Sequence, residues 1–291
     1  MLQSNDLKGI FVPVVTPFTQ DGELDLPSFE RYLGQLLRHP IQGIVINGTT
    51  GEAPTVEWAE VEALFEVART VIRRLGVRTP IIVGTGTNDT RTTVRRTAAA
   101  GEWGADAVLV VTPYYSRPSE EGTFRHFQAV VETGTPLVAY EVPERTGIRL
   151  SAETMERILT LDGVIGLKDA TGGIDLLHAL AGRTEKPMMA GSDDTFARML
   201  RRGASGGILA SAQFRTEAFL EVNRLAANGL FDEAEAAFSK LLPLTRLLFR
   251  ETNPSPIKWM LAQSGILASD EVRLPLTPIT RSLQEELSAF L

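Results

Sequence analysis

The chain has 291 residues, 43% of them hydrophobic, with 29 Lys+Arg against 36 Asp+Glu, a formal charge of −7 and no cysteine. A net-acidic chain has no broad attraction to phosphate backbones, which disfavours nucleic-acid binding, and the missing cysteines exclude disulfides, thiolate metal sites and a cysteine nucleophile. No apolar run approaches the roughly 20 residues of a membrane span, and the start MLQSNDLKGI lacks the basic-then-apolar pattern of a secretory signal, so the expectation is a cytoplasmic protein without a membrane partner.

Short apolar runs alternate with helical stretches. The runs are Gly9–Val15, Gly43–Asn47, Pro80–Gly84, Ala107–Thr112, Pro136–Tyr140, Val164–Lys168, Pro187–Gly191 and Gly206–Ala210. Their continuous apolarity suits strands covered on both faces, as in a parallel sheet. Between and after them, periods of three and four predict helices over Pro27–Arg38, Val56–Leu75, Thr90–Trp103, Ser119–Glu132, Ser151–Leu161, Gly172–Arg183, Asp193–Arg202 and Thr216–Asn228. Ser151 is a plausible cap for its helix. Eight strand–helix units in order predict an α/β fold, a (β/α)8 TIM barrel. The expected division is a catalytic barrel over 1–229 and a C-terminal helical extension over 230–291, with helices at Phe231–Glu251, Ser255–Gln263 and Ile279–Phe290. A doubly wound sheet would commonly carry a glycine-rich phosphate turn. Gly84-Thr85-Gly86-Thr87-Asn88 lacks the third glycine of that fingerprint, and no Gly-x4-Gly-Lys occurs. No nucleotide cofactor is therefore expected.

The rare residues can be weighed one by one. The three histidines, His39, His126 and His178, all fall in helices or helix ends. A metal site or a Ser-His-Asp triad would want them at strand ends or loops, so neither a metal nor any other cofactor is expected. Of 29 basic residues only Lys8, Lys168, Lys186, Lys240 and Lys258 are lysines, and only Lys168 ends a strand. A low-dielectric barrel interior disfavours an ammonium and frees an amine to attack a carbonyl, giving a Schiff base that serves as an electron sink. The competing reading is a buried lysine paired with Asp169 or Glu141 for packing, an expensive structural device. Thr49-Thr50, between glycines, offers hydroxyls and close-approach amides that can hold a carboxylate; a self-satisfied turn explains it equally well. Alone, Tyr140 is a core tyrosine, Tyr114-Tyr115 are surface aromatics and Arg145 is a loop charge. The weight lies in their convergence on the C-terminal face of the predicted barrel, where such enzymes keep their chemistry.

Taken in order, Gly48-Thr49-Thr50-Gly51-Glu52, Thr112-Pro113-Tyr114-Tyr115, Tyr140-x-Val142-Pro143-x-Arg145-Thr146-Gly147 and Gly166-Leu167-Lys168-Asp169-Ala170-Thr171-Gly172 resemble the dihydrodipicolinate synthase/N-acetylneuraminate lyase family of class I pyruvate-dependent aldolases. Asn253-Pro254-x-Pro256-x-Lys258-Trp259 and Arg273-Leu274-Pro275-Leu276-Thr277-Pro278 extend the likeness over nearly the whole chain. The tyrosine pair and Arg145 look most like the synthase branch.

The resemblance implies that Lys168 forms a Schiff base with pyruvate while Tyr140 moves protons beside it. It implies that Thr50 links Tyr140 to Tyr115 in a hydroxyl relay, with Tyr115 donated across a tight dimer interface of a homotetramer, a dimer of dimers. Thr49 and Thr50 would hold the pyruvate carboxylate, Arg145 the carboxylate of L-aspartate semialdehyde, and Gly191 and Ile208 would line the pocket through backbone groups. The implied product is 4-hydroxy-tetrahydrodipicolinate, on the path to diaminopimelate and lysine. Three departures bear on the aldehyde: Glu141 stands where the family commonly has Asn, Asp or Ser, Glu144 precedes Arg145, and Gly191-Ser192-Asp193-Asp194 is shifted from the more usual Gly-Asp-Asp. A carboxylate at 141 or 144 would repel a carboxylated aldehyde unless it points away or pairs with Arg145. Two other readings stay open: a lyase or aldolase acting on a 2-keto-3-deoxy sugar acid, and a non-catalytic ligand-binding barrel.

Overall fold

The computed structural model describes residues 1–291. Eight parallel strands close into a barrel in chain order: β1 Gly9–Pro13, β2 Gly43–Ile46, β3 Ile81–Gly84, β4 Ala107–Val111, β5 Leu137–Glu141, β6 Val164–Asp169, β7 Met188–Ala190 and β8 Gly206–Ile208. The helices around and beyond it are α1 Leu26–Leu36, α2 Trp58–Leu75, α3 Thr90–Trp103, α4 Glu120–Val131, α5 Pro143–Thr146, α6 Ala152–Thr160, α7 Asp175–Leu180, α8 Phe196–Arg201, α9 Thr216–Ala227, α10 Phe231–Ser239, α11 Leu242–Leu248, α12 Ser255–Gln263 and α13 Arg281–Ser288. The predicted (β/α)8 barrel is therefore the fold. No helix is long and apolar enough to cross a membrane.

Local chemistry starts and stops these helices. Asp25, Asp89, Ser119 and Ser151 each accept a bond from a backbone N–H of the first turn, which satisfies an otherwise orphaned donor. The expected helix over Phe231–Glu251 is two. Pro243 lacks an N–H and cannot extend α10, but it fits the first turn of α11. The stretch Gly172–Arg183 is helical only over α7: Gly172 takes φ 83°, and past Leu180 the chain leaves the helix at Ala181, ψ 124°, and Gly182, φ 76°. The short helix α5, unpredicted, begins at Pro143 and turns back at Gly147, φ 77°.

The apolar residues form two layers. Phe11, Val45, Ile82, Leu109, Val138, Tyr140, Met189 and Ile208 belong to the inner cluster that fills the barrel, plugged by Leu2 and Leu7. A larger shell of 64 residues lies between strands and helices. The extension packs back on the barrel: α10 against α8 and α9, α12 against the short turn Ala210–Gln213 that follows β8.

One irregularity decides which way β6 faces. Leu137 pairs with Val164, but Val138 pairs with Gly166, so Ile165 is an extra residue, a β-bulge. Beyond it, Ala139 and Leu167 face the outer shell, while Tyr140 and its partner Lys168 face inward. A regular strand through the same residues would, counting from Val164, turn Lys168 outward. Gly166 permits the bulge: a Cβ there would lie 2.7 Å from the Pro187 carbonyl oxygen and 2.8 Å from Leu7 Cδ1. Because the nearest atom is backbone, Gly166→Ala should cost about 1–3 kcal/mol, the usual cost of overpacking. Denaturant unfolding should show it as a lower midpoint with an unchanged slope.

Candidate active site

The C-terminal ends of the strands surround a cavity of about 280 Å³. Its wall includes Thr49, Thr50, Tyr140, Arg145, Lys168, Gly191 and Ile208, so every predicted site residue except Tyr115 lies in one wall. Lys168 is 6% exposed, and its Nζ stands 4.3 Å from the centre of the Tyr140 ring. Ring and amine are neighbours because their residues are register partners on β5 and β6. Gly191 makes room for the lysine stem: a Cβ there would lie 2.9 Å from Lys168 Cγ.

The packing alternative for Lys168 fails on direction. Glu141 and Asp169 follow Tyr140 and Lys168 by one residue, pair with each other across β5 and β6, and so point to the outer face. Glu141 accepts from Thr112 Oγ1 at 2.6 Å and from the Leu150 N–H at 2.9 Å. Asp169 accepts from the Thr171 N–H at 2.9 Å. Burial raises both carboxyls above their ordinary values, opposed by these hydrogen bonds. Of the alternatives for Glu141, the structure shows the one in which its carboxyl points away from the cavity. Glu144 does line the cavity, exposed beside Arg145 on α5.

The two threonines separate in role. Thr50 is buried, and its Oγ1 accepts from Asn253 Nδ2 at 2.9 Å. Thr49 borders this cavity and also a second one of about 490 Å³, as do Tyr140, Val142 and Arg145. Tyr114 lines that second space, whereas Tyr115 is 87% exposed with a left-handed backbone, φ 71°. The Thr50 hydroxyl is thus held by Asn253 from the extension, while Thr49 shares the second cavity with Tyr140 and Tyr114.

Three features were missed. Asp193, buried, lines the cavity and accepts from the Ser211 N–H at 2.6 Å. Burial pushes its carboxyl up to about 6, against the pull of the Ser211 bond and of the Lys168 charge. The shifted Gly-Ser-Asp-Asp motif was the available signal. Asn253 stood within a quoted motif without a role. Thr245, Arg246 and Phe249 of the extension also close the cavity, and no local pattern marks them. No group of three or more His, Asp or Glu is arranged to hold a metal ion.

The assembled chemistry is an amine at a strand end, a phenol beside it, hydroxyls on a tight turn, a buried carboxylate opposite and guanidinium groups at the mouth. That set can attack a carbonyl, move a proton next to the resulting imine and hold an acidic substrate.

The chain matches the Dihydrodipicolinate synthetase family over residues 6–291. It is 38% identical over 289 residues to the 4-hydroxy-tetrahydrodipicolinate synthase of Bdellovibrio bacteriovorus, covering 97% of each chain. Its fold superposes with a TM-score of 0.91 on the dihydrodipicolinate synthase of Acinetobacter baumannii complexed with pyruvate, at 37% identity and 97% coverage of both chains. A monomeric dihydrodipicolinate synthase variant gives a TM-score of 0.93 at 34% identity, covering 98% of this chain and 96% of that one.

The raised carboxyl gives a pH test. Between its ordinary 3.8 and about 6, folded Asp193 holds a proton that the unfolded chain has released, so stability falls as pH rises through that window. Asp193→Asn keeps an acceptor for Ser211 and removes the buried charge. It should unfold about 1–3 kcal/mol harder than wild type above pH 7, the gain fading toward pH 4. Urea unfolding across that range measures it.

Proposed function

The chain belongs to the dihydrodipicolinate synthetase family, and from that premise we propose that it is a lyase of class I aldolase type which condenses pyruvate with L-aspartate 4-semialdehyde to 4-hydroxy-tetrahydrodipicolinate, a step of lysine and diaminopimelate biosynthesis. The observation that carries this reading is the inward-facing Lys168 amine beside Tyr140, in a cavity that also holds Thr49 and Thr50.

Lys168 Nζ attacks the pyruvate carbonyl carbon, and loss of water leaves an iminium. The methyl carbon then gives up a proton to form an enamine. Tyr140, in contact with the amine, is the group suited to pass these protons. The turn carrying Thr49 and Thr50 binds the pyruvate carboxylate through hydroxyl and amide donors. The enamine carbon bonds to the aldehyde carbon of the semialdehyde, whose oxygen takes up a proton. The substrate's own amine then displaces Lys168 from the imine carbon, closing the ring and freeing the enzyme amine. Above about pH 6 ionised Asp193 favours the iminium charge across the cavity. Arg145, exposed at the mouth of both cavities, is the bidentate partner for the semialdehyde carboxylate. Gly191 leaves space for the adduct, and Ile208 gives the floor an apolar face.

The finer reading is a cytoplasmic homotetramer, a dimer of dimers. Tyr115 is the residue given to the neighbouring subunit; its exposure and left-handed backbone support a side chain held outward. Thr49 then connects Tyr140 to that arriving tyrosine.

Borohydride reduction in the presence of pyruvate should add a pyruvate-derived mass to the peptide containing Lys168. Labelling elsewhere, or none, sinks the reading. Arg145→Ala should raise KM for the semialdehyde about 10–100-fold, as expected for losing a charged hydrogen-bonding partner, and leave that for pyruvate nearly unchanged. Steady-state kinetics with each substrate varied would check it; turnover of a 2-keto-3-deoxy acid with none of the semialdehyde would replace the aldehyde half of the reading.

A further inference from the structure

The proposed chemistry leaves one buried charge cluster unused. Lys258 on α12 and Glu52 at the end of the threonine turn are both 0% exposed, and Lys258 Nζ donates to Glu52 Oε1 at 2.7 Å. The second oxygen of Glu52 accepts from the Arg273 N–H at 3.1 Å. Arg273 in turn donates to both oxygens of Glu60 at 2.6 Å and to the Thr55 carbonyl at 2.8 Å. The Phe18 ring carries both cations, Lys258 Nζ at 4.3 Å and the Arg273 guanidinium at 4.2 Å from its centre.

Stability alone is a poor reason for such a pair. Desolvating two charges commonly costs as much as their attraction returns, and an apolar pair of similar volume serves as well. What the pair holds is more telling. Glu52 ends the turn Thr49–Gly51 in the left-handed region, φ 57°, where a non-glycine residue needs outside support. The same turn is gripped at two further points. Asn253 Nδ2 donates to Thr50 Oγ1 at 2.9 Å, and Thr16 Oγ1 donates to the Gly51 carbonyl at 2.7 Å. Three of these holds, through Lys258, Arg273 and Asn253, come from the extension, more than 200 residues away in the chain.

We propose that Lys258 and Glu52 are positioning residues which lock the Thr49–Thr50 turn in its carboxylate-binding shape, so that the C-terminal extension sets the affinity of a cavity whose chemistry lies in the barrel. The inference rests on the pyruvate reading above. Pair and turn act as one unit: the ion pair fixes the left-handed residue, and that residue fixes the direction of the two preceding hydroxyls. Neither Lys258 nor Glu52 lines the cavity, so neither touches substrate.

The test separates positioning from stability. Lys258→Met alone strands a buried carboxylate and should unfold readily. The double variant Glu52→Gln/Lys258→Met removes both charges and should recover a melting temperature close to wild type. Its pyruvate dependence of borohydride trapping on Lys168 should nevertheless shift to about tenfold higher concentration, the order of one lost charge-assisted hydrogen bond. The trapped amount at saturation should stay as in wild type, because Lys168 itself is untouched. Recovered stability with half-saturation within about twofold of wild type overturns the positioning role. If the double variant does not fold, Lys258→Arg keeps the charge, changes its reach and carries the same expected shift and the same overturning result. Wild type that traps no pyruvate defeats the pyruvate reading, and this inference with it; wild type that traps while the variants are unaffected defeats this inference alone.

Discussion

The β-bulge at Ile165 is the constraint on which the site depends. It sets the inward or outward sense of everything after it on β6, because side chains of a strand alternate strictly. With the bulge, Lys168 meets Tyr140 inside the barrel and Asp169 meets Glu141 outside. A strand without it would bury the amine among carboxylates of the outer shell and leave the cavity without a nucleophile. Two glycines serve the same arrangement. Gly166 lets the bulged backbone approach the Pro187 carbonyl, and Gly191 leaves space for the stem of the lysine. Bulges beside active sites commonly re-aim a side chain, and here the residue re-aimed is the one the proposed chemistry requires.

Much of this was legible in the sequence, for identifiable reasons. A strand covered on both faces reads as a short unbroken apolar run, so all eight strands appear within a few residues of their positions. Lys168 and Tyr140 stood out because lysine and tyrosine are scarce and both end such runs. Unbroken apolarity carries no parity, however. That is why the direction of Glu141, one residue beyond Tyr140, stays open in the sequence, whereas in the fold it bonds Thr112 and Leu150 behind the wall. Thr49 and Thr50 were likewise indistinguishable by type. The long-range bond from Asn253 and the second cavity bordered by Thr49 tell them apart, and no local pattern encodes a contact across 203 residues. Pro243 marks the split of α10 from α11, but the apolar period runs through it and masks the break.

The buried charges of the molecule follow one physical rule with three outcomes. Lys258 and Glu52, fully enclosed, are paired and further bonded. Glu141, behind the wall, has hydrogen-bond donors and no cation partner, and burial raises its carboxyl. Lys168 and Asp193 alone face open cavity volume, and they face it together. A charge without a close partner is costly in the interior, and of the buried charged groups Lys168 and Asp193 are the two that line the cavity.

That distribution also explains why the extension belongs with the barrel in a functional sense. A barrel supplies reactive groups from strand ends, but those ends are short and the turns after them are mobile unless something holds them. The turn after β2 carries hydroxyls whose direction matters, and it ends in a left-handed glutamate. Strand geometry cannot hold that residue, since β2 stops at Ile46. The hold comes instead from Lys258 and Asn253, carried by α12 and the segment before it, which fold back over the β8 side of the barrel. A buried ion pair suits this task better than an apolar contact because it fixes distance and direction together, whereas apolar surfaces slide at little cost. In the proposed chemistry, nucleophile and binding turn are thus set by separate devices, a bulge in one strand and a charge pair reaching in from outside the barrel.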